Sequence, residues 1–418
     1  MHTMLLQVFN DFEQSGVAYC LMRDADRLGE LAHGGEVDLL VQPSQFADLG
    51  RLLKKRGFAR LQDRGYAPHH FFIIYDQTSD GWLKLDIMTK VAFGRPVKNL
   101  HTDLATNCIS HRRASGPTYS PAAEDEFLTL LLHCVLDKGH FAPHRQIRLQ
   151  KLRQELTDVN YLVELLATYW LPGTTWSQLA GQIDRGDWVG LLAERPKIVA
   201  HLARRDPLGV RIRTMRSRAL RQMDRWSALL RPHVPTVALL GPDGAGKSTL
   251  AHGIQDTSYF PTSQVYMGLY QKGSQRAARR LPGLNFVQLL LTQWIRYLSA
   301  RYRQAHGKLV IFDRYSYDAL LLSQHRQSWP KRVRRWLLAH ACPPPDLVLV
   351  LDAPAETLYA RKGEHTVATL EHQRQSYLEL QTRLRQVSVL DTTKGAEQVR
   401  RSATALIWQT YAHRHNKE

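Results

Sequence analysis

The sequence predicts an α/β protein in several parts: a doubly wound, parallel five-stranded domain in the C-terminal half, preceded by an α+β domain and a helical subdomain. Three observations carry this. The 418 residues are too many for one ordinary core. From about Val234 onward, short apolar runs alternate with helical patterns, the order that builds a parallel sheet. Before that point the pattern changes from mixed strands and helices to helices alone.

Apolar residues make up 44% and charged residues 22%, with no low-complexity tract, so the chain reads as folded. Its longest apolar runs, Leu347–Leu351 and Phe127–Cys134, are far short of the roughly 20 residues that cross a bilayer. The first residues, with Asp11 and Glu13, do not read as a secretory signal, and a cytoplasmic protein is expected. Cys20, Cys108, Cys134 and Cys342 have no metal or redox spacing and read as reduced thiols. The net charge of +18 implies an anionic partner. Nine arginines lie between Arg204 and Arg231 against Asp206 and Asp224, and Lys331, Arg332, Arg334 and Arg335 form a second cluster. Both fit solvated helix faces. An anionic membrane surface stays open as a partner, whereas the lack of interleaved aromatics argues against nucleic acid.

In chain order, residues 1–115 form the α+β domain. Glu36-Val-Asp-Leu-Leu-Val41, Phe71–Tyr75 and Trp82-Leu-Lys-Leu-Asp-Ile87 read as strands, bounded by Gly34-Gly35 and Asp80-Gly81. Residues 116–203 are helical: Glu124, Asp125 and Glu126 open a segment whose Phe127, Leu130, Leu131 and Cys134 recur at helix spacing. Residues 204–233 read as one long Arg-rich helix stopped by Pro232 and Pro235. Residues 234–418 form the last domain. Its strands are expected at Val234–Leu240, Gln264–Leu269, Leu309–Phe312, Leu347–Leu351 and Val387–Leu390, with helices beginning near Gly246, Phe286, Tyr317, Pro354 and Ala396.

The strongest motif is Gly241-Pro-Asp-Gly-Ala-Gly-Lys-Ser-Thr249, which satisfies the P-loop pattern directly after an apolar strand. Its glycines let backbone N–H groups of residues such as Gly244, Ala245 and Gly246 turn inward around a phosphate, and the following helix aims its positive end at the same anion. Lys247 is expected to reach the β- and γ-phosphates of ATP, and the Ser248 hydroxyl, beside Thr249, to ligate Mg²⁺. Downstream, Val310-Ile-Phe-Asp-Arg-Tyr315 places Asp313 and Arg314 at the carboxyl edge of the sheet. The planar fork of Arg314 suits two parallel hydrogen bonds to a substrate phosphate; a structural ion pair is the alternative.

The order of these motifs, followed by Pro345-Asp-Leu-Val-Leu-Val-Leu-Asp-Ala-Pro354 and Arg361, resembles the thymidylate kinase family of P-loop kinases over residues 234–418. The resemblance implies that Asp243 contacts a nucleoside sugar, Arg314 holds the acceptor phosphate and Asp313 supports Mg²⁺. It also implies a mobile basic lid over Ala355–Arg374, with Arg361 and Lys362 covering the phosphates, in-line transfer of the γ-phosphoryl group, and a homodimer. Two departures matter: the lid segment has few arginines, and no base-recognition signature follows Ser316. In this the chain resembles a divergent kinase-like branch found with polysaccharide biosynthesis, whose acceptor need not be a nucleotide.

In the N-terminal domain, Glu36 and Asp38 lie two apart and so share one face of a strand, with Asp86 able to join them from a neighbouring strand. Three converging carboxylates are costly unless a cation neutralises them, which suggests a two-Mg²⁺ site. These residues resemble the acid-x-acid plus third-aspartate signature of the minimal nucleotidyltransferase fold, with Met22-Arg23-Asp24 standing where that family has a Gly-Ser pair. Solvated strand-end carboxylates are the alternative. Lys138 and His140 face that cleft or the surface; His140 and His144 are separated by Pro143 and read as incidental. His69 and His70 have no carboxylate partner nearby in sequence and read as turn or core residues.

Three functions follow as expectations. The first is a kinase acting on a nucleoside monophosphate or another small acceptor, nucleotide or sugar phosphate. The second is a bifunctional sugar kinase and nucleotidyltransferase. The third is a nucleotide-controlled module that binds a polyanion.

Overall fold

A computed structural model describes residues 2–23, 28–29, 35–61, 65–94, 97–230, 233–269, 282–321 and 328–415. Of the sequence readings above, those on Asp24, Gly34, Arg231 and Pro232 lie outside the described residues. The chain divides into two compact units, Met1–Asp224 and Arg225–Glu418.

The first unit opens with helix α1 (Thr3–Gln14), strands β1 (Tyr19–Leu21) and β2 (Gly35–Val41), helix α2 (Phe46–Lys55), and strands β3 (Ala59–Arg60), β4 (His69–Asp76) and β5 (Gly81–Met88). The five strands form a mixed sheet in the order β1-β2-β5-β4-β3, as the α+β pattern predicts. Strands β2 and β5 run parallel, with Asp38 opposite Asp86 and Glu36 opposite Lys84. Two short ribbons follow, β6 (Ala92–Phe93) with β7 (Leu100–His101), and β8 (Arg113–Ser115) with β9 (Thr118–Ser120), flanking α3 (Leu104–Ser110). Then come α4 (Ala123–Leu132), a π-helical turn at His133–Lys138, α5 (Pro143–Glu155), α6 (Val159–Tyr169), α7 (Trp176–Asp184), α8 (Trp188–Ala193), α9 (Arg195–Arg205) and α10 (Pro207–Leu230), which continues past Asp224 into the second unit.

The helices and the sheet share one core. Phe127, Leu131, Leu149, Leu166 and Ile198 are buried in the same cluster as Cys20, Leu40 and Met88. Pro143 sits in the first turn of α5, where its missing N–H costs nothing, so His140 lies outside the helix that carries His144. The Arg-rich stretch is mostly the one long helix expected, α10, but it starts later: Arg204 and Arg205 end α9, and Asp206, before Pro207, is out of helical geometry with φ −147° and ψ 69°.

The second unit holds β10 (Thr236–Leu240), α11 (Lys247–Thr257), β11 (Thr262–Tyr266), α12 (Pro282–Ala305), β12 (Leu309–Asp313), α13 (Trp329–Ala339), β13 (Leu347–Asp352), α14 (Ala355–Lys362), α15 (Val367–Leu378), α16 (Leu380–Arg383), β14 (Val387–Asp391) and α17 (Ala396–His415). All pairings in its five-stranded sheet, ordered β11-β12-β10-β13-β14, are parallel. Every residue of β10 is buried, while the edge strand β11 is mostly half-buried, which is why the central strands read as unbroken apolar runs.

Two expectations shift. Strand β11 starts earlier and ends at Tyr266, and Met267 leaves the ladder with one hydrogen bond to the Asp313 carbonyl at 3.1 Å. No helix begins near Tyr317: Ser316–Leu320 is a single 3₁₀ turn, and the helix starts at Trp329 with Pro330 in its first turn. Burial of Ser316 and Tyr317, with the Ser316 hydroxyl donating to the Ala339 carbonyl at 3.0 Å, fixes that turn as a plug under α13.

Candidate functional site

Strand β10 sits at the centre of the parallel sheet, and its carboxyl end delivers the loop at residues 241–246 to the N-terminus of α11. Glycine is required at two points by close approach as well as by conformation. A Cβ on Gly241 would lie 2.6 Å from the Leu351 carbonyl oxygen and one on Gly244 2.7 Å from that of Leu358, and the φ values are 142° and 85°. Gly246 caps α11 in the left-handed conformation. The loop is closed by its own lysine: the Lys247 ammonium donates to the carbonyls of Gly241 and Pro242, both at 2.8 Å. Burial, with Arg314 nearby, lowers the pKa of Lys247 to about 8.

A cavity of about 560 Å³ opens over this loop. Asp243, Gly244, Ala245, Gly246, Lys247, Ser248 and Thr249 line it from one side, Arg361, Lys362, Thr392 and Thr393 from elsewhere. Gly241 is not part of its wall, being packed beneath the loop against Leu351.

Asp313 ends β12 and Arg314 follows it; β12 pairs directly with β10, so that Asp313 stands opposite Leu239. Asp313 and Arg314 do not line the cavity; Arg314 reaches it through Asp243, to which it donates at 2.8 Å. The backbone of Arg314 is left-handed, with φ 64°, and its N–H is tied to the Leu239 carbonyl at 3.2 Å. A non-glycine residue held there carries strain of about 1–2 kcal/mol, which this hydrogen bond and the ion pair offset. Burial works to raise the Asp243 carboxyl, but Arg314, Lys247, Lys362 and His365 outweigh it and hold the group below its usual range. Lys362 and His365 each lie 3.8 Å from Asp243.

The sequence reading missed a buried partner of Arg314. Asp318, in the 3₁₀ turn, lies 3.8 Å from the guanidinium and accepts a hydrogen bond from the Tyr377 hydroxyl at 3.1 Å. Burial raises its carboxyl above the usual range despite Arg314. Its spacing four residues after Arg314 was the available signal. The segment expected as a lid is α14 and most of α15; Lys362 faces Asp243, while two of its arginines are tied to the strand end at Asp352 and the turn at Thr392. Arg361 donates to the Thr392 hydroxyl at 3.2 Å and to its carbonyl at 2.9 Å, while Arg374 grips Asp352 through both oxygens at 2.7 and 3.1 Å.

The family model described as an AAA domain matches residues 236–394. The C-terminal half carries an AAA-type P-loop domain. Among solved structures, a thymidylate kinase from Candida albicans is similar to this chain at 19% identity, covering 44% of this chain and 94% of that one, with a TM-score of 0.35. A deoxyadenosine kinase from M. mycoides, solved with bound dATP, is similar at 13% identity, covering 40% and 96%, with a TM-score of 0.30. No curated protein is a significant match in sequence. The Ser248 hydroxyl in the cavity wall is an oxygen ligand of the kind that suits a hard cation such as Mg²⁺.

In the first unit, the register of β2 against β5 brings Glu36, Asp38 and Asp86 together, with one carboxylate oxygen of each within 4.8 Å of the others. These oxygens suit a divalent cation. Each carboxylate also has its own basic partner: Arg23 on Asp38 at 2.7 Å, Lys84 on Glu36 at 2.8 Å, and His69 on Asp86 at 2.8 Å. The pairing of His69 corrects the sequence reading, because β4, which carries His69, pairs antiparallel with β5, whose Asp86 supplies a carboxylate distant in sequence. Burial opposes ionisation of Asp38, yet Arg23 holds its carboxyl below the usual range. A cleft of about 430 Å³ includes all three acids together with Lys98, Lys138 and Arg145, so Lys138 does face it and His140 is not among its lining residues. Behind Arg23, the π-helical turn presents His133 at 2.9 Å, which in turn meets Asp137 at 3.1 Å.

Proposed function

We propose that the P-loop domain is an ATP-dependent phosphotransferase that moves the γ-phosphoryl group onto a small acceptor bearing a phosphate. The observation that carries this is the coupling of the glycine loop to Arg314 through Asp243, which sets a loop built for a triphosphate beside a guanidinium suited to a second phosphate. ATP would enter with its phosphates over residues 241–248, drawing the Lys247 ammonium off the loop carbonyls onto phosphate oxygens. Arg314 would turn one hydrogen-bonding edge to the acceptor phosphate while Asp243 keeps the other in place. Asp318 and Tyr377 would hold the guanidinium from behind. Mg²⁺, carried by Ser248 and Asp313, would neutralise charge on the triphosphate. Catalysis then rests on positioning and charge rather than on a covalent intermediate. The test is transfer from γ-labelled ATP across a panel of nucleoside monophosphates, sugar phosphates and free sugars. Lys247→Ala should fold as wild type and lose about a hundredfold or more in kcat; a folded variant with normal turnover rules the assignment out.

A second reading, nucleotidyl transfer in the first unit, is favoured by the convergence of the Glu36, Asp38 and Asp86 oxygens. Pyrophosphate release from a nucleoside triphosphate and a sugar phosphate, abolished in Asp38→Asn, supports it; release unaffected by that substitution counts against it.

A further inference from the structure

Helix α10 is amphipathic in the reverse of the usual sense for a surface helix. Its inward face is polar. Arg213 donates to the Asn99 carbonyl at 2.9 Å, the Thr214 hydroxyl accepts from the Asn99 amide at 2.9 Å, Ser217 donates to the Gly65 carbonyl, and the Arg221 guanidinium lies 4.4 Å from the centre of the Tyr66 ring. The outward face is apolar. Leu208, Ile212, Met215 and Met223 are 70, 64, 68 and 58% exposed, and at 100° per residue they fall on a single stripe together with exposed Ala219. The same spacing reaches Trp226, also exposed, before the helix ends at Leu230.

The margins of the stripe are basic. Arg211 and Arg218, seven residues apart, run along one edge and Arg216 along the other, all three exposed, and no exposed position from Leu208 to Met223 is acidic. Among the described residues none of these three arginines has an ion-pair partner. Scattered apolar residues on a surface need no explanation, but an ordered stripe of this kind does. A second copy of the chain is a poor occupant, because two such faces would oppose arginine to arginine. Nucleic acid leaves the apolar stripe in water. An anionic lipid surface satisfies both features: the stripe enters the boundary between headgroups and acyl chains, and the arginines reach back to the phosphates. No helix of the described residues is long and apolar enough to cross a membrane, so the contact is with its surface.

We propose that α10 lies in the plane of an anionic membrane, docking the protein by its outward apolar stripe and flanking arginines. This goes beyond the phosphotransferase reading and does not depend on it.

The test is co-sedimentation of the full chain with vesicles of phosphatidylcholine alone or mixed in equal parts with phosphatidylglycerol. Binding is expected only to the anionic vesicles. Replacing Arg211, Arg216 and Arg218 together with alanine should weaken it on the order of a hundredfold. Ile212→Asp with Met215→Asp should abolish it while leaving the far-ultraviolet circular dichroism unchanged, since both side chains are exposed. Equal binding to neutral vesicles, or undiminished binding by the aspartate variant, overturns the proposal. So does an absence of vesicle binding accompanied by a dimer that the aspartate variant loses, or loss of binding in the arginine variant alone.

Discussion

Arg314 is the residue on which the proposed C-terminal chemistry turns, and its backbone tells as much as its side chain. Left-handed φ at an arginine is held by one hydrogen bond from its own N–H and by ion pairs to Asp243 and Asp318. Two substitutions separate the parts. Arg314→Asn tolerates the left-handed conformation and should unfold in urea within about 1 kcal/mol of wild type, while Arg314→Val, whose branched Cβ opposes that conformation, should lose roughly 1–2 kcal/mol more. Equal stability of the two variants would mean that the strain is not there. At this scale the sequence was most legible where chemistry and spacing coincide. Lys247 and Ser248 announce themselves by fixed offsets from glycines, and Asp313-Arg314 by its place at a strand end. The contacts of Asp318 with Tyr377 and of His69 with Asp86 are set by tertiary pairing across 59 and 17 residues, for which one sequence carries no local signal.

At the scale of elements, the strands were readable because burial on both faces writes continuous apolar runs into β10, β12 and β13. The helices failed where proline or burial overrode periodicity. Pro207 moves the start of the Arg-rich helix past Arg204 and Arg205, and the buried turn at Ser316–Leu320 replaces an expected helix start. The π-helical turn was not foreseen, since no residue pattern distinguishes it from α-helix. It carries His133 and Asp137 behind Arg23, and its electrostatics give a pH dependence. Burial, with Arg23 alongside, pushes the pKa of His133 down to about 3 from 6.5. A histidine depressed in the folded state binds its proton more readily when unfolded. Its contribution is therefore full above about pH 6.5 and is lost as pH falls towards 3, at as much as about 1.4 kcal/mol per pH unit. Asp137, held below the usual carboxylate range by His133 and Lys98 against burial, adds its own loss only at lower pH. Urea titrations between about pH 4 and 6 should show stability falling with acid in the wild type and a flatter slope in His133→Gln. Identical slopes would remove His133 as the source.

At the scale of the molecule, two units with separate sheets carry two separate constellations. Lys247→Ala should leave any nucleotidyl transfer intact, and Asp38→Asn should leave phosphoryl transfer intact, with the double variant additive within about 0.5 kcal/mol. Coupling beyond that, measured by assaying both reactions in all four proteins, would show that the units act as one catalyst. The sequence shows a change of pattern near Val234, about ten residues beyond the boundary between the two compact units at Asp224. The sharing of one core by the first sheet and the helices after it was not legible, because periodicity shows which face of an element is buried but not against what.

The most direct measurement compares wild type with Arg314→Lys in transfer from γ-labelled ATP to the best acceptor found, with KM taken for each substrate. A lysine keeps the charge but loses the planar fork, so the expected result is an unchanged KM for ATP and an acceptor KM raised about tenfold or more. Equal acceptor KM values for the two proteins, or a loss confined to ATP, would contradict the placing of the acceptor phosphate on Arg314.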